Sequence, residues 1–292
     1  MHALAEFADI VKPNEPLAPY THFKVGGPAD LLVQPRSAAE LAAVVRRCAA
    51  EHLPLRVLGG GCNVLVRDEG VRGAVLRLSA PAFTEVTVAG NRVRAGGGAA
   101  LSALISKAAR HALAGLETLI GIPGTVGGAL RRNAGDRSGE IGQYVRRVEV
   151  VDAGGACQVR ERDELRFADR WSSLDDPVLL VGEFELEADT PDAIVKRMLR
   201  AWIQRKASQP LSFQAAGRAF KDPRGGSAAA LIEQAGLAGT RVGSAEVSER
   251  HPNFLMIQPG GTARDALRLI DLIRSRVLER CRVELELDIS VW

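Results

Sequence analysis

The chain has 292 residues, 46% hydrophobic and 25% charged, with a net charge of +3; that length suits two domains, and that balance an ordinary globular protein. No apolar run is long enough to span a bilayer, residues 1–13 lack the basic and apolar regions of a secretory signal, and aromatics at 4% are too sparse for stacking platforms on nucleic acid. The cysteines, Cys48, Cys62, Cys157 and Cys281, are widely spaced and form no C-x-x-C pair. They read as small apolar filler in a reduced, cytoplasmic protein, not as a disulfide framework or a metal site.

Ser37 and Glu40 form a capping box ahead of Leu41, Val44, Val45 and Cys48 at helical spacing, and this helix stops before Pro54. Leu55 to Leu58 reads as a strand entering the cluster Leu58-Gly59-Gly60-Gly61-Cys62-Asn63, and Val64-Leu65-Val66 as another strand leaving it. Ala74 to Leu78, Phe83 to Val88 and Val93 to Ala95 are strand-like runs, and Leu101, Leu104, Ile105 and Ala108 mark a helix stopped near Gly115. A second cluster, Gly121-Ile122-Pro123-Gly124-Thr125-Val126-Gly127-Gly128, follows. Strands are expected at Val145 to Val151, Cys157 to Arg160 and Val178 to Leu186.

A composition break at Glu187 to Pro191 divides a larger α+β domain, residues 1–188 in two lobes split near residue 80, from a smaller α/β domain, residues 189–292. Thr190-Pro191 opens a helix with Ile194, Met198, Trp202 and Ile203 on its apolar face. Residues 211–223 are loop-rich; a helix at Ala228 to Gln234, a strand at Phe254 to Ile257 and a helix from Thr262 to Glu279 follow. The closing alternation Val283, Leu285, Leu287, Ile289, Val291 predicts a half-buried strand.

Glycine clusters let the backbone take positive φ and let a ligand reach main-chain N–H groups, which is how such loops bind phosphate. Two tight turns would account for either cluster alone; two this rich favour a cofactor site gripping a long phosphate-containing ligand. There is no G-x-G-x-x-G opening a helix and no G-x-x-x-x-G-K-[ST]. The strand–loop–strand order also argues against both a Rossmann unit and a P-loop.

Seven segments in order resemble the UDP-N-acetylenolpyruvoylglucosamine reductase family: 21–30, 58–66, 121–128, Asn133-Ala134-Gly135 with Gly139-Glu140, 167–172, 209–223 and 283–289. The resemblance implies an FAD-binding domain of the vanillyl-alcohol-oxidase (PCMH) type plus a smaller C-terminal α/β substrate domain. Its cofactor residues would be Leu58, Gly59, Gly60, Gly61, Cys62, Asn63, Val64 and Leu65 in the first loop, and Gly121, Ile122, Pro123, Gly124, Val126, Gly127 and Gly128 in the second. Asn133, Ala134, Gly135, Glu140 and Ile141 would complete the set. The implied reaction takes hydride from NADPH through FAD to the enolpyruvyl C3 of a UDP-sugar and adds a proton at C2. The expected protein is a cytoplasmic monomer with a small-molecule substrate and with no metal, nucleic-acid or membrane partner.

The implied catalytic positions are Arg170, Arg218 and Asp288. Arg170 keeps the family's Arg within Asp169-Arg170-Trp171-Ser172, although Asp169 stands where the family has Tyr. Arg218 stands at the family's Ser proton-donor position, Asp222 at an Asn, and Asp288 at the catalytic Glu. A guanidinium is a poor general acid, so an Arg218–Asp222 pair would be a rewiring in which a water delivers the proton. Arg205, Gln209, Lys221, Asp222, His251 and Asn253 are the implied substrate residues. Arg205 read alone is equally a solvated helix end, Asp222 a solvated loop residue, and His251 a loop histidine with a structural hydrogen bond. A flavin- or nucleotide-sugar-binding protein without reductase activity, or an oxidoreductase with another substrate, would use the same glycine loops.

Overall fold

The computed structural model describes residues 3–136, 138–208 and 216–292. Two compact units are assembled from interleaved segments: Met1–Pro13, Asp30–Gly60 and Arg72–Arg205 form one, and Asn14–Ala29, Gly61–Val71 and Lys206–Trp292 the other. Among the described residues seven α-helices occur: α1 (Ala38–Ala50), α2 (Pro81–Thr84), α3 (Leu101–Arg110), α4 (Val126–Arg131), α5 (Pro191–Ser208), α6 (Ala228–Gln234) and α7 (Ala263–Cys281).

In the first unit, α1 begins where the Ser37 hydroxyl accepts the Glu40 amide at 3.2 Å, the forward arm of the expected capping box. The return arm goes elsewhere. The Glu40 carboxylate accepts from the Arg36 amide at 2.7 Å because the Arg36 guanidinium, also 2.7 Å away, holds it there. Leu41, Val44, Val45 and Cys48 fill a core with Leu31, Val33, Ala74 and Leu76, each large side chain contributing about 1.5–3 kcal/mol by leaving water. Strand Leu55–Val57 runs parallel to Val71–Leu76.

A second, antiparallel sheet has the order Cys157–Glu161, Val145–Val151, Val178–Glu185, Arg92–Gly96, Val86–Ala89. Leu101, Leu104, Ile105 and Ala108 of α3 and Val126 and Leu130 of α4 join its core. The run Phe83 to Val88 is not one strand. Pro81 starts the short helix α2 and pairing begins at Val86, because a proline at the first helical position fixes a helical φ. Of the cysteines, Cys48 is buried as filler should be, but Cys157 is exposed on a strand whose side chains face solvent.

The unit border lies at Arg205, inside α5, and not at the composition break near residue 188. Ile194 is buried and Met198 packs on the first unit's core, whereas Trp202 and Ile203 are 39% and 59% exposed, contrary to the expected apolar face. Arg205, two turns beyond Met198 and on the same side of the helix, is buried instead. Beneath it lie the Ile120 and Thr118 carbonyls and the Asp136 carboxylate, which a guanidinium satisfies and an apolar side chain would leave without that donor.

The second unit has a sheet in the order Ala216–Arg218, Phe254–Ile257, Ala245–Val247, Arg241–Val242. α6 and α7 share its core through Ile232, Ala266, Leu269, Ile270, Ile273 and Val277. The amino end of α7 is capped twice: Thr262 accepts the Asp265 amide, and the Asp68 carboxylate accepts those of Ala263 and Arg264 at 2.9 and 3.0 Å. The closing segment keeps the predicted burial alternation at Leu285 and Ile289, but only Ser290–Val291 forms a strand, parallel to Val64–Leu65. Upstream it bonds to the irregular 219–221 segment, Asp288 N–H to Ala219 and Lys221 N–H to Glu286, with a single bridge at Phe220 and Leu287.

Candidate active site

The two glycine clusters meet within the first unit. Strand Leu55–Val57 delivers Leu58, whose amide bonds the Leu76 carbonyl at 2.9 Å, and a Cβ on Gly59 would lie 2.5 Å from the Thr125 hydroxyl. Only glycine permits that approach. The later half of the cluster, Gly61 to Asn63, belongs to the second unit, where Gly61 accepts the His22 amide at 3.0 Å. Burial pushes the Cys62 thiol up to about 11, so it stays protonated. Val64 and Leu65 pair with the closing strand.

In the second cluster Gly121 sits at φ 81, and a Cβ there would press at 3.0 Å on the Trp202 ring and on Arg205. Thr125 caps α4 by accepting the Gly128 amide. The Val126 and Gly127 amides are directed inward, to the carbonyls of Ala99 and Gly97 at 2.9 and 2.8 Å, and that of Ile122 bonds Leu119. Among the described residues no backbone carbonyl accepts the amides of Gly121, Gly124 or Thr125. Pro123 has none to offer. The Thr118 hydroxyl, on the turn leading in, is buried without a partner among the described residues. A glycine cradle with amides to spare and an orphaned polar atom beside it fits a phosphate-bearing cofactor.

α5 holds this cluster through its preceding turn, Leu116–Leu119. Arg205 donates from Nε to the Ile120 carbonyl at 2.9 Å and from Nη2 to Thr118 O at 3.3 Å and Asp136 Oδ2 at 2.9 Å. Arg197 donates to Glu117 at 2.5 Å and to Asp189 at 2.7 Å, and Glu117 accepts the Gly115 amide. Sequence reasoning missed Thr125, Glu117 and Arg197. The first carried a readable signal, a threonine immediately before a helix.

Asn133 is 1% exposed, and its amide is engaged by protein groups: Nδ2 donates to Glu140 at 2.7 Å and to the Ala168 carbonyl at 2.9 Å, and Oδ1 accepts the Gly142 amide at 3.0 Å. Ala134 accepts the Ile141 amide, and Gly135 pairs with Glu140 in a short hairpin. These bonds also anchor a second hairpin, Phe167–Ala168 with Trp171–Ser172, which Ser172 secures by donating to the Arg131 carbonyl at 3.1 Å. Arg170 occupies its turn at φ 56, a left-handed conformation that costs a non-glycine residue about 1 kcal/mol.

In the second unit Arg218, Asp222 and Asp288 come together. Arg218 Nη2 donates to Asp222 at 2.8 Å, Nε donates to the Phe220 carbonyl at 3.2 Å, and Nε lies 3.9 Å from the Asp288 carboxylate, itself 6% exposed. These two hydrogen bonds leave three of the guanidinium's five N–H donors for a ligand. The other Asp222 oxygen accepts the Ala228 amide at the start of α6, so Asp222 is an exposed loop residue that also has two protein partners. Asn253 staples the segment, accepting the Phe220 amide at 2.9 Å and donating to its carbonyl at 2.8 Å. Lys221 turns outward to Glu286 at 3.1 Å. His251 meets Phe254 edge to face, and burial, then the Arg250 charge, lowers its pKa. Gln209 lies outside the described residues. Among the described residues no cluster of His, Cys, Asp or Glu is placed to hold a metal, and no helix is long and apolar enough to cross a membrane.

The fold and its glycine cradle define an FAD-binding protein: residues 29–159 match the FAD binding domain family. Residues 209–292 match the C-terminal domain of UDP-N-acetylenolpyruvoylglucosamine reductase. The chain belongs to the UDP-N-acetylenolpyruvoylglucosamine reductase family. It is 42% identical to the reductase of Heliobacterium modesticaldum over 95% of this chain and 89% of that one. It is also 42% identical to reductase 2 of Symbiobacterium thermophilum over 97% and 92%. The crystal structure of UDP-N-acetylenolpyruvylglucosamine reductase (MurB) from Thermus caldophilus superposes with a TM-score of 0.83 at 38% identity, covering 97% of this chain and 98% of that chain. A plant glucose dehydrogenase, Phl p 4.0202, matches at 16% identity and a TM-score of 0.51 over 65% of this chain and 44% of that chain, a likeness of fold alone.

Proposed function

We infer that the chain reduces UDP-N-acetylglucosamine enolpyruvate to UDP-N-acetylmuramate with NADPH, in peptidoglycan precursor synthesis. The observation that carries this reading is that relatives bearing the reductase name align with 95–99% of the chain. The C=C bond is reduced as NADPH becomes NADP⁺: a hydride, with its two electrons, ends on C3 and a proton on C2. FAD, when bound, supplies the hydride carrier between nicotinamide and C3. The first unit is the cofactor unit and the second the substrate unit. We read the protein as a cytoplasmic monomer without nucleic-acid or membrane partners.

The residues divide the work as follows. The Gly121, Gly124 and Thr125 amides would hold the pyrophosphate of bound FAD, and Arg205 keeps that loop in shape without needing to touch substrate. Arg205→Ala is therefore expected to weaken FAD binding about tenfold, since each lost charged hydrogen bond costs roughly 1.5–3 kcal/mol and a flexible loop recovers part of it. Arg205→Lys, which lacks the planar fork, restores only part. Fluorescence titration with FAD measures this, and an unchanged affinity contradicts the assignment.

Arg218 stabilises the charge that develops on the substrate carboxylate, and Arg170 keeps the catalytic assignment that the family resemblance gives it. A guanidinium is a poor general acid, so Asp288 is the group left to move a proton to C2, directly or through one water. Arg170→Gly is expected to raise stability by about 1 kcal/mol by relieving the left-handed turn while lowering kcat about a hundredfold. Thermal unfolding and steady-state kinetics on one preparation test both halves; a less stable variant or an unchanged kcat refutes them. The reaction itself is tested by mass spectrometry of the product formed in D₂O. The product should gain two hydrogens, one of them solvent deuterium at C2; NADPH oxidation without that product overturns the reading.

A further inference from the structure

Asn63 closes the first glycine cluster, yet its side chain is not directed at a loop neighbour. Its Nδ2 donates to the backbone carbonyl of Asp288 at 2.9 Å, and its own carbonyl accepts the Ser290 amide at 2.9 Å. One residue thus grips the closing segment on both sides of Ile289. The grip is extended by the parallel pairing of Val64–Leu65 with Ser290–Val291 and by the Trp292 amide bonding Leu65 O at 3.0 Å. On its other side Asp288 donates its amide to Ala219 at 2.8 Å, beside Arg218. The Asp288 backbone is therefore clamped between Ala219, next after the strand that carries Arg218, and the loop that resembles a flavin loop.

We propose that Asn63 is a positioning residue that couples occupancy of the first glycine loop to the placement of Asp288. A ligand that orders Gly61 to Asn63 fixes the Asn63 amide group, which fixes the Asp288 carbonyl and with it the carboxylate that moves the proton. A displacement of about 1 Å at such a group costs on the order of a hundredfold in rate, so one hydrogen bond at this place has leverage beyond its own strength. The inference rests on the reductase reading for its kinetic consequence, but the coupling itself needs only FAD binding.

Hydrogen exchange on the full chain, with and without FAD, tests the coupling directly. FAD should slow exchange in residues 284–292 of the wild type. In Asn63→Ala, and in Asn63→Asp, which keeps the volume but loses the donor, that slowing should disappear while residues 116–131 remain protected by FAD. Unchanged exchange in 284–292 when wild type binds FAD overturns the proposal. So does loss of FAD protection in both regions, which would make Asn63 a plain cofactor ligand. In anaerobic half-reactions on FAD-saturated protein, Asn63→Ala should slow recolouring by the enol ether at least tenfold more than it slows bleaching by NADPH; equal slowing of the two overturns the proposal. Combined with Asp288→Ala, Asn63→Ala should add no further slowing; effects that multiply refute a path through Asp288. A wild type that bleaches but never recolours would defeat the reductase reading, while the exchange result would still decide the coupling.

Discussion

Asp288→Asn is expected to slow reoxidation of the reduced flavin by the enol ether by about two to four orders of magnitude, with bleaching by NADPH unchanged. Asparagine matches aspartate in shape and cannot move a proton. The backbone bonds of this residue, its amide to Ala219 and its carbonyl from Asn63, do not involve the carboxylate, so the segment should keep its place. Arg218 retains Asp222 at 2.8 Å and is not left without a counter-charge. The loss is therefore chemical and not structural, and it should appear in kcat far more than in KM. Equal slowing of both half-reactions would place Asp288 outside proton delivery.

The second large effect is expected at Arg218. Arg218→Ser removes the guanidinium that lies 2.8 Å from the half-exposed Asp222 and 3.9 Å from Asp288, which is 6% exposed. One positive charge is lost beside an anionic substrate, and with it a donor to the developing charge. The recolouring rate should fall by about 10²–10³, with flavin content unchanged. Adding Asp222→Asn removes the surplus charge beside the new hydroxyl, and the double variant should recover at least tenfold over Arg218→Ser alone. Rising activity in the single variant would mean that Arg218 impedes the reaction, and the rewired pair would have to be abandoned.

How far the sequence speaks depends on how local the determinants are. The glycine clusters were legible because backbone freedom is written in the residues themselves, and α1, α3 and α7 because helical periodicity needs only a dozen positions. The capping box of α1 was half right, since the Arg36 guanidinium beside Glu40 could not be weighed from spacing. Periodicity placed Ile194 and Met198 inward on α5 but erred at the exposed Trp202 and Ile203; an apolar stripe was expected where carbonyls select Arg205. The inward-turned amides of Val126 and Gly127 depend on the Gly97–Ala99 segment, a partner that no reading of the loop alone supplies. The Asn63 bond to Asp288 joins residues 225 positions apart, a separation across which a single sequence carries no pairing signal. By contrast, Arg218 and Asp222 sit four apart, and their ion pair was open to inference once both departures from the family pattern were seen together.

An arginine at the proton-donor position must coexist with reductase chemistry if this chain is to turn over. The most direct measurement is an anaerobic stopped-flow trace of the FAD-loaded protein, following the flavin's visible absorbance. NADPH should bleach it, and UDP-N-acetylglucosamine enolpyruvate, added next, should restore the colour within the turnover time. A flavin that bleaches and stays reduced in the presence of the enol ether would contradict that coexistence.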